Sequence, residues 1–373
     1  MPASCGANEL LPSLGVQLCG VQLPNPLILA SGILGTEAEL MARVGRAGAG
    51  AVTAKSCSPL PRAGHRNPTV LAWEHGLINA IGLANPGIQA ELGELQRAKA
   101  MLEPLGSALI GSVFADTVEG FAQVAGRLIE AGPDLIEVNI SCPNVHDEFG
   151  TPFAADPAAA AEVTAAVKEA VAGRAPVLVK LSPNVTNIAA IGCAVADAGA
   201  DAISAINTLT GMIIDVHARR PILANRTGGL SGPAIRPLAV RCVYDLYEAT
   251  DLPIVGIGGV GSGRDAVEMI MAGATAVGVG SAVYGEGPEA FGRIAGEMIL
   301  VPIHNNLADM DYIYTLNETA ARVWELTDGE TNLAEIHQAL TAEFEVDPDE
   351  AQQDLLELIQ ALIDMNALME VGR

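Results

Sequence analysis

Asn139-Ile140-Ser141-Cys142-Pro143-Asn144 sets a thiol between two carboxamides and next to a hydroxyl. A cysteine there can act as base or nucleophile, and the amides can fix a planar polar ligand through paired hydrogen bonds. The stretch follows Asp134-Leu135-Ile136-Glu137-Val138, an apolar run of strand length. The thiol is therefore expected just past a strand's C-terminal end. A lone cysteine beside a Pro-Asn turn more often reads as a buried structural residue. Here the polar neighbours turn the reading toward chemistry.

Something must position that segment. Short apolar runs recur at 27–30, 51–55, 108–114, 135–140, 177–181, 202–206, 254–257 and 276–279. Ala-rich stretches of helical length, such as 157–172 and 189–198, lie between most of them. Eight strands alternating with helices predict an α/β fold, a closed (β/α)8 TIM barrel. An open doubly wound sheet ranks lower, because no G-x-G-x-x-G follows an early strand.

Function in such a barrel sits at the C-terminal strand ends. Those ends carry Ala30-Ser31-Gly32, Lys55-Ser56, Asn139, Lys180, Asn207-Thr208, Gly258-Gly259 and Gly280-Ser281. Glycine turns after the last two strands are places where backbone N–H groups can hold a phosphate. Tight βα turns would need glycine there in any case. Lys180 ends the apolar run Val177-Leu178-Val179. A buried ammonium is costly unless it meets an anion. A reduced flavin, charged near N1, is the favoured anion, ahead of an acid of the barrel itself. Lys55 invites the same argument.

The chain has 373 residues, long enough for a large barrel and an appendage. Its net charge of −24 argues against nucleic acid and anionic membrane as partners. No apolar run of about 18 residues is present, so no transmembrane helix is expected. Residues 1–10 lack a basic region followed by an apolar core, so no signal peptide is expected. The six cysteines are scattered without a C-x-x-C pair, so neither a zinc nor an iron–sulfur site is expected. Scattered thiols in a chain of this size read as cytoplasmic. Charge is unevenly placed: residues 302–373 carry sixteen acids and two bases, net −14, which leaves −10 for the rest. A composition boundary near residue 300 follows, dividing 1–300 from 301–373.

Together these residues resemble the dihydroorotate dehydrogenase family over roughly 14–298. The matching pieces are Ala30-Ser31-Gly32, Asn79-Ala80-Ile81-Gly82-Leu83 with Asn85-Pro86-Gly87, and Asn139 through Asn144. To them add Val179-Lys180-Leu181-Ser182-Pro183-Asn184, Ile206-Asn207-Thr208, Thr227-Gly228-Gly229-Leu230-Ser231-Gly232, Gly258-Gly259 and Gly280-Ser281. The resemblance implies an FMN-binding barrel that oxidises dihydroorotate to orotate in pyrimidine synthesis. It makes Cys142 the catalytic base. It assigns substrate binding to Lys55, Asn79, Ala80, Ile81, Gly82, Leu83, Asn139, Asn144, Asn207 and Thr208. It assigns the flavin to Ser31, Lys55, Ser56, Ser112, Asn139, Lys180, Ile206, Gly232, Gly258, Gly259, Gly280 and Ser281. Many relatives have an asparagine where this chain has Ser112, whose hydroxyl can still donate to a flavin oxygen. A cysteine base and the Asn-Ala-Ile-Gly-Leu-x-Asn-Pro-Gly motif resemble the NAD-linked branch. That branch implies a homodimeric core and a separate subunit carrying FAD and an iron–sulfur cluster.

The tail reads as a small, mainly helical, winged-helix-like domain. A first short helix runs through Val323-Trp324-Glu325-Leu326. Leu333, Ile336, Leu340 and Phe344 make a second stripe at helical spacing. Asp347-Pro348-Asp349-Glu350 is a helix start, with an N-cap, proline at N1 and an acid at N3. Leu355, Leu358, Ile359, Leu362 and Ile363 form a third stripe, and a strand is possible at 368–371. Leu316-Asn317-Glu318-Thr319-Ala320 and Trp324-Glu325-Leu326 resemble the peptide chaperones of pyrroloquinoline quinone biosynthesis. That resemblance implies a peptide or protein partner; the stripes alone support a helical docking module. Two rivals to the dehydrogenase stay open. One is another flavin-dependent pyrimidine reductase, disfavoured by Asn144 where uracil-directed relatives tend to have histidine. The other is a binding module that uses the barrel as a scaffold.

Overall fold

The computed structural model describes residues 14–141, 153–297, 299–300, 314–315, 318–327, 331–344 and 346–364. The chain divides into two compact units, Leu14–Ala295 and the residues from Gly296 on.

The first unit is a closed parallel barrel. Its strands are β1 (Leu27–Leu29), β2 (Ala51–Thr53), β3 (Ala108–Val113), β4 (Leu135–Asn139), β5 (Val177–Leu181), β6 (Ala202–Ala205), β7 (Ile254–Ile257) and β8 (Ala276–Val279). Each is one of the eight apolar runs. Helices on one side and packed side chains on the other bury nearly every strand residue, so the runs are apolar without alternation.

Two acids clasp the barrel at strand starts. Asp134, just before β4, accepts from Leu109 N–H at 2.8 Å and from Lys99 Nζ at 2.6 Å. Asp201, just before β6, accepts from Val177 N–H at 2.7 Å and from Lys168 Nζ at 2.6 Å. In both cases a helix lysine and the preceding strand's first amides share one carboxylate. Glu91, on the helix Ile88–Leu102, is different. It is buried, with Oε1 unpartnered among the described residues. Burial, with Glu94 nearby, pushes its carboxyl up to about 7, well above the usual carboxylate range.

The barrel interior is layered along its axis. A hairpin of Val16–Leu18 and Val21–Leu23 turns through Cys19 and Gly20, both at positive φ (50° and 84°), the geometry of a two-residue I′ turn. Its Leu18 and Leu23 pack with Ile28, Ile110, Leu135, Leu178 and Val255 as an apolar floor. Alternation along a strand then lifts polar groups above that floor. On β4, Leu135 belongs to the floor, and Glu137 and Asn139 follow on the same face. Register sets Ser112 of β3 opposite Glu137, and Lys180 of β5 opposite Asn139.

A four-stranded antiparallel sheet joins the loops at the C-terminal strand ends. Its order is Leu209–Gly211, Gly228–Ser231, Gly76–Asn79, Val70–Trp73. These strands are absent from the sequence-based expectation. At Gly76 the backbone approaches so closely that a Cβ would fall 2.0 Å from Ser231 O, at φ +151°. Only glycine permits that approach.

The second unit contains helices Glu318–Leu326, Leu333–Glu343 and Pro348–Asp364. Asn332 and Glu335 form a reciprocal capping box at the second helix, with bonds of 3.0 and 3.1 Å. Asp347 Oδ1 accepts from the N–H groups of Asp349 and Glu350 at the third. Val323, Ile336, Leu340 and Leu355 are the buried core of the three helices. Strand Ile299–Leu300 pairs antiparallel with Tyr314–Thr315. The strand considered at 368–371 lies outside the described residues.

Candidate active site

One cavity of about 340 Å³ opens where the barrel strands end. Its wall includes Ser31 after β1, Lys55 and Ser56 after β2, Asn139 closing β4, and Lys180 on β5. Ile206, Asn207 and Thr208 follow β6, Gly258 and Gly259 follow β7, and Gly280 and Ser281 follow β8. The antiparallel sheet adds Asn79, and the segments leading from it add Ile81, Gly82, Leu83 and Gly232. Residues spread over some 250 positions in sequence thus share one wall, as the barrel topology dictates.

Of the remaining expected residues, Ala80 is fully buried behind the wall. Cys142 and Asn144 lie outside the described residues. Ser112 does not line the cavity. It is fully buried on β3, and its hydroxyl donates inward to Glu137 Oε1 at 3.0 Å. The strand alternation that aims it at the barrel axis keeps it one layer below the mouth.

Ser56, Ser112, Asn139, Ser141 and Asn207 form one connected network. Ser112 Oγ lies 2.8 Å from Ser56 Oγ, and Asn139 Nδ2 donates to Ser56 Oγ at 3.1 Å. Asn207 Nδ2 donates to Ser141 Oγ at 2.9 Å and to Asn139 Oδ1 at 3.4 Å. Ser141 Oγ donates to Asn139 Oδ1 at 3.3 Å. Asn79 Nδ2 reaches Gly229 O at 3.4 Å. Asn85 ties its own loop: its Oδ1 accepts from Ser58 N–H and Gly87 N–H, at 3.2 and 2.9 Å.

Lys180 corrects one expectation. Its Nζ donates to Ser31 Oγ at 3.1 Å and stands 3.6 Å from Glu137 Oε2, with both side chains about 5% exposed. The barrel acid that ranked second as its partner is present. Glu137 was missed as a site residue. An acid inside the apolar run Leu135-Ile136-Glu137-Val138 was the available signal, since a buried carboxylate demands partners.

Around the cavity rim, glycine lets backbone come close. At Gly259, with φ +74°, a Cβ would fall 2.7 Å from Gly232 O. At Gly258 it would fall 2.5 Å from Ala239 Cβ. The loop after them is fixed by Asp265, whose Oδ2 accepts from Gly261 N–H at 3.0 Å and whose Oδ1 accepts from Arg236. The described cysteines lie away from this wall. Burial pushes the Cys19 thiol up to about 11 and raises Cys57 and Cys242 as well. Among the described residues there is no cluster of metal ligands and no helix long and apolar enough to cross a membrane.

Residues 13–301 match the family model described as dihydroorotate dehydrogenase. Residues 297–367 match the model for coenzyme PQQ synthesis protein D. A protein of Methanocaldococcus jannaschii is 45% identical over 294 residues, which is 79% of this chain and 95% of that protein. One from Methanosarcina mazei is 49% identical over 284 residues, 74% and 88% of the two chains. One from Geobacter metallireducens is 46% identical over 301 residues, 80% and 96% of the two. All three are named as the catalytic subunit of dihydroorotate dehydrogenase B (NAD(+)).

Proposed function

This chain belongs to the dihydroorotate dehydrogenase family, and from that premise we propose that it oxidises dihydroorotate to orotate in pyrimidine biosynthesis. It does so as the catalytic subunit of an NAD-linked enzyme, with electrons leaving through a second subunit. The observation that carries this reading is one cavity wall. Two lysines, Lys55 and Lys180, face it together with three carboxamides, Asn79, Asn139 and Asn207. Cations suit an anionic substrate and an anionic reduced ring, and carboxamides suit the paired donors and acceptors of a pyrimidine.

The family is generally flavin-dependent, and the flavin proposed here is FMN. Gly258, Gly259, Gly280 and Ser281, which line the cavity together after the last two strands, support a phosphate cradle of backbone N–H groups. Ser31, Lys55, Ser56, Asn139, Lys180, Ile206 and Gly232 would border the ring. Bound flavin supplies the two-electron acceptor for the hydride leaving C6. Cys142 takes the proton from C5. Asn79, Asn139, Asn144 and Asn207 hold the ring and carboxylate of the substrate. Lys180 favours negative charge on its side of the cavity. The test is direct. Purified protein should carry about one FMN per chain, and dihydroorotate should bleach it anaerobically. Protein that takes up no added FMN, or whose FMN stays oxidised, rejects the reading.

The electron-transfer partner is proposed to carry FAD and an iron–sulfur cluster, and the protein to work in the cytoplasm on a homodimeric core. Residues 301–373 are proposed as a separate docking domain for a peptide or protein. Their own caps, their own apolar core and their net charge of −14 support this. Truncation before residue 296 should leave FMN content and flavin reduction within about twofold of the parent. It should abolish pull-down of a partner, and that association should weaken with salt. Loss of FMN or unfolding on truncation would make the tail part of the barrel's own structure.

A further inference from the structure

We propose that Glu137 is a positioning residue of this site: it fixes the cation of Lys180 and the donor–acceptor direction of the Ser112–Ser56–Asn139 chain. The proposal rests on the reading of the cavity as a flavin site. Glu137 does not itself line the cavity and is 3% exposed. Its two oxygens nevertheless face two different sets of groups that support the cavity wall.

On one side, Oε2 stands 3.6 Å from Lys180 Nζ and accepts from Ser204 Oγ at 3.3 Å. Lys180 in turn donates to Ser31 Oγ at 3.1 Å, and both residues line the cavity. The carboxylate therefore aims the ammonium and offsets part of its charge.

On the other side, an ionised carboxylate can only accept. Ser112 has one hydroxyl hydrogen and gives it to Oε1 at 3.0 Å. In the 2.8 Å contact between Ser112 and Ser56, Ser56 must then be the donor. With its hydrogen used, Ser56 Oγ accepts from Asn139 Nδ2 at 3.1 Å. It can offer the cavity nothing but a lone pair. The amide of Asn139 is held the same way round, because its oxygen accepts from Ser141 and Asn207. The wall at Ser56 thus accepts an N–H from a ring ligand, and the wall at Lys180 accepts negative charge. One buried acid sets both.

Glu137→Gln keeps the shape, removes the charge and adds an amide donor that can reverse the chain. The readout is the midpoint potential of the bound flavin at 25 °C. With Lys180 no longer offset, the two-electron equilibrium should move about tenfold toward the reduced form, an upward shift of about 30 mV. In a Lys180→Met background, the same Glu137→Gln change should move it less, because the part that runs through the position of the lysine is gone and only the direct field of the carboxylate remains. Glu137→Asp, which keeps the charge on a shorter arm, should shift the potential in the same direction by less. The proposal is overturned if the glutamine variant has the parent potential. An equal shift without Lys180, or an aspartate shift as large as that of glutamine, overturns it too. A glutamine variant that unfolds or releases its flavin makes Glu137 a structural counter-ion and overturns it likewise. Parent protein without flavin would fail the reading of the cavity first. Flavin-loaded parent and variant with equal potentials would fail this proposal alone.

Discussion

Cys142→Ala is expected to keep its flavin and to reduce it with dihydroorotate about 100-fold more slowly, or slower still, the usual scale for a positioned base. The expectation combines the sequence motif with what the structure does around it. β4 delivers Asn139 to the cavity wall, and Ser141 next along the chain bonds to Asn207 on that wall. Cys142 follows immediately. The other described thiols offer no substitute, since burial raises Cys19, Cys57 and Cys242 and none lines the cavity. Cys142→Ser should retain part of the rate and gain with rising pH, because a hydroxyl is the weaker base. Stopped-flow bleaching of the flavin band, at saturating dihydroorotate, measures the step itself. An alanine variant that bleaches at the parent rate removes Cys142 from the chemistry and returns it to the role of a structural cysteine.

Much of this fold was legible because parallel barrel strands are buried on both faces. They appear as plain apolar runs, and all eight runs are barrel strands. Strand ends point to Ser31, Lys55, Asn139, Lys180 and Asn207, since topology alone decides where those ends gather. The tail's helices were legible for a different reason. Asp347 with Pro348 carries local cap chemistry that tertiary context does not override, and the second helix shows as an apolar stripe at helical spacing, while its Asn332–Glu335 box emerges only from the structure. Strands on the periphery were missed. Val70–Trp73 and Gly76–Asn79 turn through Glu74 and His75, which carry no turn signature. The short strands around Leu209 and Gly228 are glycine-rich and hold together by distant pairing. The floor hairpin at Cys19-Gly20 had a usable signal, a glycine between two Val-Gln-Leu repeats. Glu137 was the largest omission at the site. An apolar run ending in a lysine favours a ligand over a protein acid as the anion it meets. The acid two residues before Asn139 sat on the inward face by simple alternation.

That ion pair leads to the second large effect. Lys180→Met is expected to cost about 3–5 kcal/mol of folding stability, the usual scale for breaking a buried pair from one side. Glu137 and Lys180 side chains are 4% and 5% exposed, so water replaces little of what the lost partner supplied. The carboxylate would keep two hydroxyl donors, Ser112 and Ser204, and no counter-charge among the partners described here. For a unit of this size each kcal/mol moves Tm by roughly 2–4 °C, so the melt should fall by roughly 10 °C. The measurement is a thermal melt of flavin-free protein. A lysine that served the ligand alone would leave that melt unchanged and lower only flavin affinity. Pairing the change with Glu137→Gln should recover most of the loss, because the stranded charge goes with it. A single variant that melts with the parent would show that the hydroxyls suffice to hold Glu137. Lys180 would then belong to the bound flavin rather than to the fold.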